Sequence, residues 1–190
     1  MIGPGFAYAL AAASAGDQAA FAAIWRDVHP RLLRYLRVVA GEACEDVASE
    51  TWAVVAGALD HFDGDERAFR AWVFTVARRR AVDNFRRTAR RPSVPVDPVT
   101  LHDVVDGDVG NDPADCLLAS ISTGEALALL ASLPRDQAEA IALRTIGGLD
   151  VGTVAVIMDK RPGTVRVLAH RGLRTLAAQV PLRTPDRVAT

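Results

Sequence analysis

Apolar residues recur at helical spacing along most of this chain, and polar breaks divide the pattern into a succession of helices. Phe6 to Ala15 is apolar nearly throughout and reads as a first helix, closed by Gly16, with Asp17 placed to cap the next. Phe21, Ile24, Trp25, Val28, Leu32, Leu33, Leu36 and Val39 then hold one stripe to about Ala40. Pro30 lies inside that stripe, so a kink or a join between two helices is expected near His29. After Gly41 a third helix sets Val47, Ala48, Thr51, Val55, Ala58 and Leu59 on one face and Glu45, Asp46, Ser49, Glu50 and Asp60 on the other. His61 to Glu66 is a loop by its Asp-Gly content. From about Arg67 a further helix aligns Phe69, Trp72, Val73, Val76 and Ala77, and Arg80, Asn84 and Arg87 continue the same line. A helix whose buried stripe turns basic halfway along leaves the core, and its far half suits an anion. The segment Arg86-Arg87-Thr88-Ala89-Arg90-Arg91 extends that basic run.

Pro92, Pro95 and Pro98 then stop regular structure, and Ser93 to Asn111 has no apolar period. Asp112 and Pro113 restart a helix as cap and first-turn residue, with Leu117, Leu118, Ile121, Ala128, Leu129 and Leu133 carrying it to Pro134. The next helix, from about Arg135 to Ile146, is expected to bury Ala138, Ile141, Ala142 and Thr145. Gly147 and Gly148 end it. Asp150 caps a short helix bearing Val151, Val154, Ala155 and Met158, and Pro162 opens a longer one. In that last helix Val165, Leu168, Ala169, Gly172, Leu173 and Leu176 form the inner stripe. Its opposite face holds Gly163, Arg166, Val167, His170, Arg171 and Arg174, and the helix contains no acid. Pro181 to Thr190 reads as a frayed tail. No stretch reads as a strand, and the expected fold class is all-α.

A short helix, a tight turn and a longer basic helix describe a helix-turn-helix, whose second helix lies in the DNA major groove. An antiparallel helical pair with a solvated basic face would show the same pattern, so the sorting of charge elsewhere decides between them. The formal charge of the 190 residues is only −1. Between Arg91 and Arg135 there is no Lys or Arg, while Asp97, Asp103, Asp106, Asp108, Asp112, Asp115 and Glu125 lie inside that gap. Between Arg70 and Arg91 sit Arg70, Arg78, Arg79, Arg80, Arg86, Arg87, Arg90 and Arg91 against the single acid Asp83. The small net charge conceals two basic modules around an acidic spacer.

Other chemistries find little support. Cys44 and Cys116 have no CxxC or CxxH companion, and His29, His61, His102 and His170 lack metal-ligand spacing. Ser, Cys and His show no nucleophilic arrangement, and there is no GxxxxGK[ST] phosphate loop; no enzyme is expected. The apolar N-terminal run has no basic segment before it and is too short to span a bilayer, so a cytoplasmic protein without membrane insertion is expected. Trp72 could stack on a base, but its alignment with Phe69, Val73 and Val76 favours core packing.

Four segments, in order, resemble the extracytoplasmic-function (ECF) type of bacterial RNA polymerase sigma factor, of the sigma-70 family. They are Gly16-Asp17 with Ala20-Phe21 and Arg31 to Leu36; Glu45-Asp46-Val47-Ala48-Ser49-Glu50-Thr51; Phe69 to Arg78 with Asp83 and Arg86-Arg87; and Leu133-Pro134, Leu143-Arg144, Gly148-Leu149, Gly163 to Arg166 and His170 to Leu173. The resemblance implies two small helical domains: a region 2-like domain over 1–91 and a region 4-like helix-turn-helix domain over 112–180. A flexible acidic linker over 92–111 would join them, with 181–190 as a tail. It implies core RNA polymerase as partner, through its β′ clamp and β flap, with Glu45, Asp46, Ser49 and Glu50 as the clamp contact. It implies promoter DNA as the second partner, single-stranded at the −10 element and duplex at the −35 element. The −10 contacts would be Phe62, Asp63, Arg78, Arg79, Arg80, Asn84, Arg86 and Arg87. The −35 contacts would come from the outer face already described, joined by Lys160, Arg161 and Thr164. An anti-sigma factor is a further candidate partner, and no cofactor is implied.

Three positions depart from the family pattern. Arg79 stands where an Asn usually follows Ala-Arg, which puts one −10 base contact in question. Arg161 precedes Pro162 where a Ser commonly caps the recognition helix; forgoing a cap costs about 1 kcal/mol, which suggests that Arg161 serves DNA. Asp159 occupies a turn position that often holds Gly and must tolerate the left-handed conformation. The rival function, from another class, is a free-standing helix-turn-helix repressor or activator, which would need its own dimer surface and operator affinity.

Overall fold

A computed structural model of the chain describes residues 3–89 and 123–179. Four helices form the first module: α1 (Phe6–Ser14), α2 (Gln18–Ala40), α3 (Cys44–Gly57) and α4 (Glu66–Ala89). Four more form the second: α5 (Thr123–Ala131), α6 (Arg135–Thr145), α7 (Val151–Met158) and α8 (Pro162–Gln179). No strand occurs among the described residues. The expected linker, the Asp112–Pro113 helix start, residues 90 and 91, and the tail lie outside them.

The caps follow their local chemistry. Asp17 Oδ1 accepts from the N–H groups of Ala19 at 2.8 Å and Ala20 at 3.2 Å, satisfying two donors that a helix start leaves unpaired. Of the kink or join expected near His29, the join is absent: α2 runs as one helix through Pro30. Pro30 lies on the exposed side of α2, so the backbone group its ring leaves unpaired is not trapped in the core. Ile24, Val28, Leu32 and Leu36 keep one buried stripe on both sides of it.

The first module is centred on aromatic rings. Phe6, Phe62 and Trp72 surround the buried Phe69, with centroids at 5.5, 5.3 and 5.8 Å, while Tyr35 meets Phe74 at 5.2 Å. The second module is aliphatic, built on Leu130, Leu133, Ala138, Ile141, Ala169 and Leu176. There α8 approaches α6 so closely that a Cβ at Gly172 would lie 2.6 Å from Ile141 Cδ1 and 3.2 Å from Leu133 Cδ1. Only glycine fits that crossing without repacking.

Helix α6 ties the modules together. Its residues Ala138 to Leu143 are buried without interruption, so it has no solvent face over that span. Ala138 and Ile141 pack within the second module, while Ala140, Ala142 and Leu143 join a core that also holds Leu36, Phe74, Ala77 and Ala81 of the first. The α6 C-terminus closes with Leu149 N–H on Leu143 O at 3.2 Å, and Gly148 takes the positive φ of 63° that this turn needs.

Candidate nucleic-acid interface

The helix-turn-helix has the expected local build. Asp150 caps α7 by accepting from Thr153 N–H at 3.1 Å and from the Thr153 hydroxyl at 2.6 Å. Those hydrogen bonds, with the nearby Arg67 guanidinium, hold the Asp150 carboxyl well below the usual carboxylate range. Asp159 takes the left-handed conformation at φ 54°, ψ 50°, and the chain turns there into α8. Val165, Ala169, Gly172 and Leu176 are the inner side of α8. Arg161, Arg166, His170, Arg171 and Arg174 are exposed, and Gly163, Thr164 and Val167 are half-buried on the same outer surface. Arg166, His170 and Arg174 follow one another at about 6 Å of helix rise, and such a row can lie along a groove and meet base edges and phosphates. Lys160 differs from them: its Nζ pairs with Asp136 at 2.9 Å.

The other basic helix is arranged differently. Arg79, Arg86 and Arg87 are exposed, and Arg80 and Asn84 half-buried, on the far half of α4. Arg87 pairs with Glu50 at 3.3 Å, and Arg86 lies 3.9 Å from Asp83. Arg78 is drawn away from this surface: its Nε donates to Glu139 of α6 at 2.8 Å, and Tyr35 Oη donates to the same oxygen at 3.1 Å. Burial, reinforced by the Glu139 carboxylate, raises the Tyr35 phenol well above its ordinary value. Phe62 stacks on Trp72, with centroids at 5.0 Å and planes 13° apart, while Asp63 beside it is exposed. Trp72 is thus half-buried packing material with one face already covered, in line with the core role that its register predicts.

On the first turns of α3, Glu45, Asp46 and Ser49 are exposed, while Glu50 is half-buried and engaged by Arg87. Behind this face His29 stacks on Trp25 at 4.2 Å and accepts from Trp52 Nε1 at 3.2 Å. Burial lowers the His29 pKa, and Glu45 partly opposes the shift. The structure thus gathers most of the expected residues into three surfaces, the outer face of α8, the far half of α4 and the start of α3, but leaves Phe62 and Asp63 beside the N-terminal half of α4 and engages Arg78 and Lys160 with Glu139 and Asp136.

Sequence reasoning missed four side chains that join the modules. Arg67 Nη2 meets Asp150 Oδ2 at 2.6 Å, and Arg70, only 8% exposed, pairs with Glu66 beside the Gly148 backbone. Tyr35 and Glu139 complete the set. One signal was available: Ala138 to Leu143 is apolar on nearly every side, and a helix apolar all round is buried all round. No group of three or more His, Cys, Asp or Glu is placed to hold a metal among the described residues. No described helix is long and apolar enough to cross a membrane.

Known proteins match this arrangement. Residues 18–91 match the family model of Sigma-70 region 2, and residues 123–176 that of Sigma-70, region 4. The chain is 34% identical over 171 residues to the ECF RNA polymerase sigma factor ShbA of Streptomyces griseus, covering 86% of this chain and 88% of that one. It is 31% identical over 172 residues to the ECF RNA polymerase sigma factor BldN of Streptomyces coelicolor, covering 89% of this chain. The chain spans 63% of BldN's own length. Among solved structures, the sigma factor RpoE of Bartonella quintana, in complex with the anti-sigma factor NepR, superposes with a TM-score of 0.61 at 20% identity, covering 86% of this chain and 98% of that one. CnrH, in complex with the cytosolic domain of CnrY, superposes with a TM-score of 0.59 at 23% identity, covering 90% and 94%. These two likenesses speak for the fold.

Proposed function

The chain belongs to the ECF sigma factors of the sigma-70 family, and from that premise we propose how its surfaces divide the work of promoter recognition. As a sigma factor it associates with core RNA polymerase and directs it to promoter DNA for transcription initiation. In the proposed division, residues 1–91 carry the polymerase clamp contact and the −10 element, and residues 112–180 carry the −35 element. The segment 92–111 tethers them. The protein works in the cytoplasm and has no catalytic chemistry of its own.

The observation that carries this reading is the outer face of α8, a row of exposed cations on a helix with no acid, packed closely from behind at the Gly172 crossing. Arg166 sits near the N-terminal end, where recognition helices reach base edges, and Arg174 two turns on, where the strand backbone passes. On the other module, Glu45, Asp46 and Ser49 offer an exposed acidic patch suited to a basic polymerase surface. Arg79, Arg80, Arg86 and Arg87, with the Phe62–Asp63 loop, suit an opened strand, where cations track the backbone and aromatic faces receive bases.

The test is run-off transcription with purified core polymerase on templates that carry or lack each element. Transcripts that need this chain, core polymerase and both elements together are the expected result. Tight, sequence-specific binding to duplex DNA by the chain alone, with no transcript in the presence of core, would instead identify a free-standing repressor.

A further inference from the structure

We infer that Lys160 is a positioning residue: tied to Asp136 of α6, it braces the turn of the helix-turn-helix and so aims the N-terminal end of α8 at the base edges. This rests on the reading above, in which α8 meets the −35 element. Along the chain Lys160 adjoins Arg161 and reads as one more cation for DNA. The fold sends its side chain elsewhere. Helix α8 turns Val165, Ala169, Gly172 and Leu176 inward, and α6 packs behind that side at the Gly172 crossing. Lys160 Nζ reaches the same α6, pairing with Asp136 Oδ2 at 2.9 Å. Its side chain is 27% exposed, whereas Arg161, Arg166 and Arg174 stand in solvent.

The turn needs such a tie. Its backbone bonds stay within its own two helices: Asp159 N–H donates to Val156 O at 3.2 Å, Lys160 N–H to Ala155 O at 2.9 Å, and Val165 N–H to Arg161 O at 3.1 Å. They set the shape of the turn, including the left-handed Asp159, but not its place against α6. Asp136 lies in the first turn of α6, where the helix dipole favours an anion, and α6 is buried from Ala138 to Leu143. An acid so placed is a firm anchor, and both partners belong to the DNA-binding module. The residue type fits as well. Lys160 is the only lysine of the chain, while the outer row of α8 is built on arginine. A planar guanidinium suits guanine edges and phosphates, whereas an ammonium on a flexible stem suits a single carboxylate oxygen. A partly exposed pair adds little to stability, so its consequence is one of aim. A shift of about 1 Å at the start of α8 takes Arg166 out of hydrogen-bond range of a base.

Holoenzyme binding to a panel of −35 variants at several salt concentrations tests the brace. Lys160→Gln and Asp136→Asn should each weaken binding to the preferred sequence by about fivefold and relax selectivity, with the salt slope unchanged. Combining Lys160→Asp with Asp136→Lys restores an ion pair with its charges exchanged, and should recover most of the loss. A lysine that holds a phosphate behaves otherwise: Lys160→Gln lowers the salt slope by about one contact, and Asp136→Asn strengthens binding by releasing the ammonium. Either result, or an exchanged pair that binds no better than the single variants, overturns the brace. Asp136→Asn serves alone if circular dichroism shows Lys160→Gln unfolded. Amide hydrogen exchange on the free chain supplies a readout without DNA, since the Asp159 and Lys160 N–H groups should exchange faster in both single variants. Wild-type exchange there also overturns the brace. Faster exchange in a protein whose holoenzyme shows no −35 preference leaves the brace standing and rejects the promoter reading instead.

Discussion

The two modules present basic helices of similar length, yet α4 and α8 dispose of their charge in opposite ways. On α4 the cations are largely met by acids of the same chain: Arg70 by Glu66, Arg78 by Glu139, and Arg87 by Glu50. On α8, Arg166 and Arg174, with Arg161 just before its first turn, stand exposed and form no ion pair among the described residues. The difference follows from what packs behind and beside each helix. Helix α4 lies between α3 and the second module, both of which bring carboxylates within reach; α8 turns its inner side to the aliphatic stripe of α6 and its outer side to solvent. Charge density along a helix is thus a poor guide to the charge available for DNA, because acids such as Glu139 and Glu50, which neutralise part of it, come from distant sequence.

That contrast can be broken most forcefully at the support of α8. Leu176→Ala removes a 1%-exposed side chain from the small second core and should destabilise that module by about 2–5 kcal/mol. Two-probe denaturation should show the second module melting early while Trp fluorescence from the first, which holds Trp25, Trp52 and Trp72, still reports native packing. Coincident transitions would mean that the shared core makes the chain one cooperative unit.

Next in size is the acidic face of the first module. Converting Glu45 and Asp46 to Lys reverses charge on exposed positions that make no ion pair among the described residues. Core-polymerase binding should weaken by roughly 2 kcal/mol, about thirtyfold, with circular dichroism unchanged. Wild-type affinity in a folded double variant would make this face an ordinary solvated surface. Glu50 is the poorer choice, since its loss would also release Arg87.

The comparison between the basic helices sharpens when one cation from each is removed. Arg166→Ala should cost about 1–3 kcal/mol on the preferred −35 sequence and relax selectivity at one position. Arg174→Ala should weaken all sequences alike and lower the salt slope by about one contact. Arg87→Ala should cost no more than about 1 kcal/mol, because the wild-type side chain must first give up Glu50. Holoenzyme binding to a panel of promoters at several salt concentrations measures all three. Equal and uniform losses would show that the pairing on α4 is too weak to matter.

The smallest effect concerns His29, whose ring accepts from Trp52 and whose pKa burial holds below 6.5. The neutral ring is the form that the fold favours, so its contribution is present above the ordinary value and lost as pH falls through the lowered one. The first module should melt at a lower temperature at about pH 5 than at about pH 7.5. His29→Gln should flatten that dependence, and a variant retaining the full wild-type slope would assign it to other groups.

Much of this protein is written in its local patterns. Period and punctuation determine the described helices, the Asp17 and Asp150 caps, the left-handed Asp159 and the inner and outer faces of α8, because each depends on residues within a turn or two of one another. Pro30 shows the limit of such reading: a local rule allowed a join between two helices there, and one helix runs through it with Ile24, Val28, Leu32 and Leu36 buried along a single stripe. Pairings across the fold could not be read locally at all. Glu139 looks like a surface acid until Tyr35 and Arg78 are found beside it, from 104 and 61 residues away. Arg70 and Arg78 look like members of one basic run until one is buried against Glu66 and the other against α6. A helix face is determined by neighbours along the chain, whereas the partner that covers it, and hence whether its charge meets DNA or its own protein, is determined only when distant segments pack.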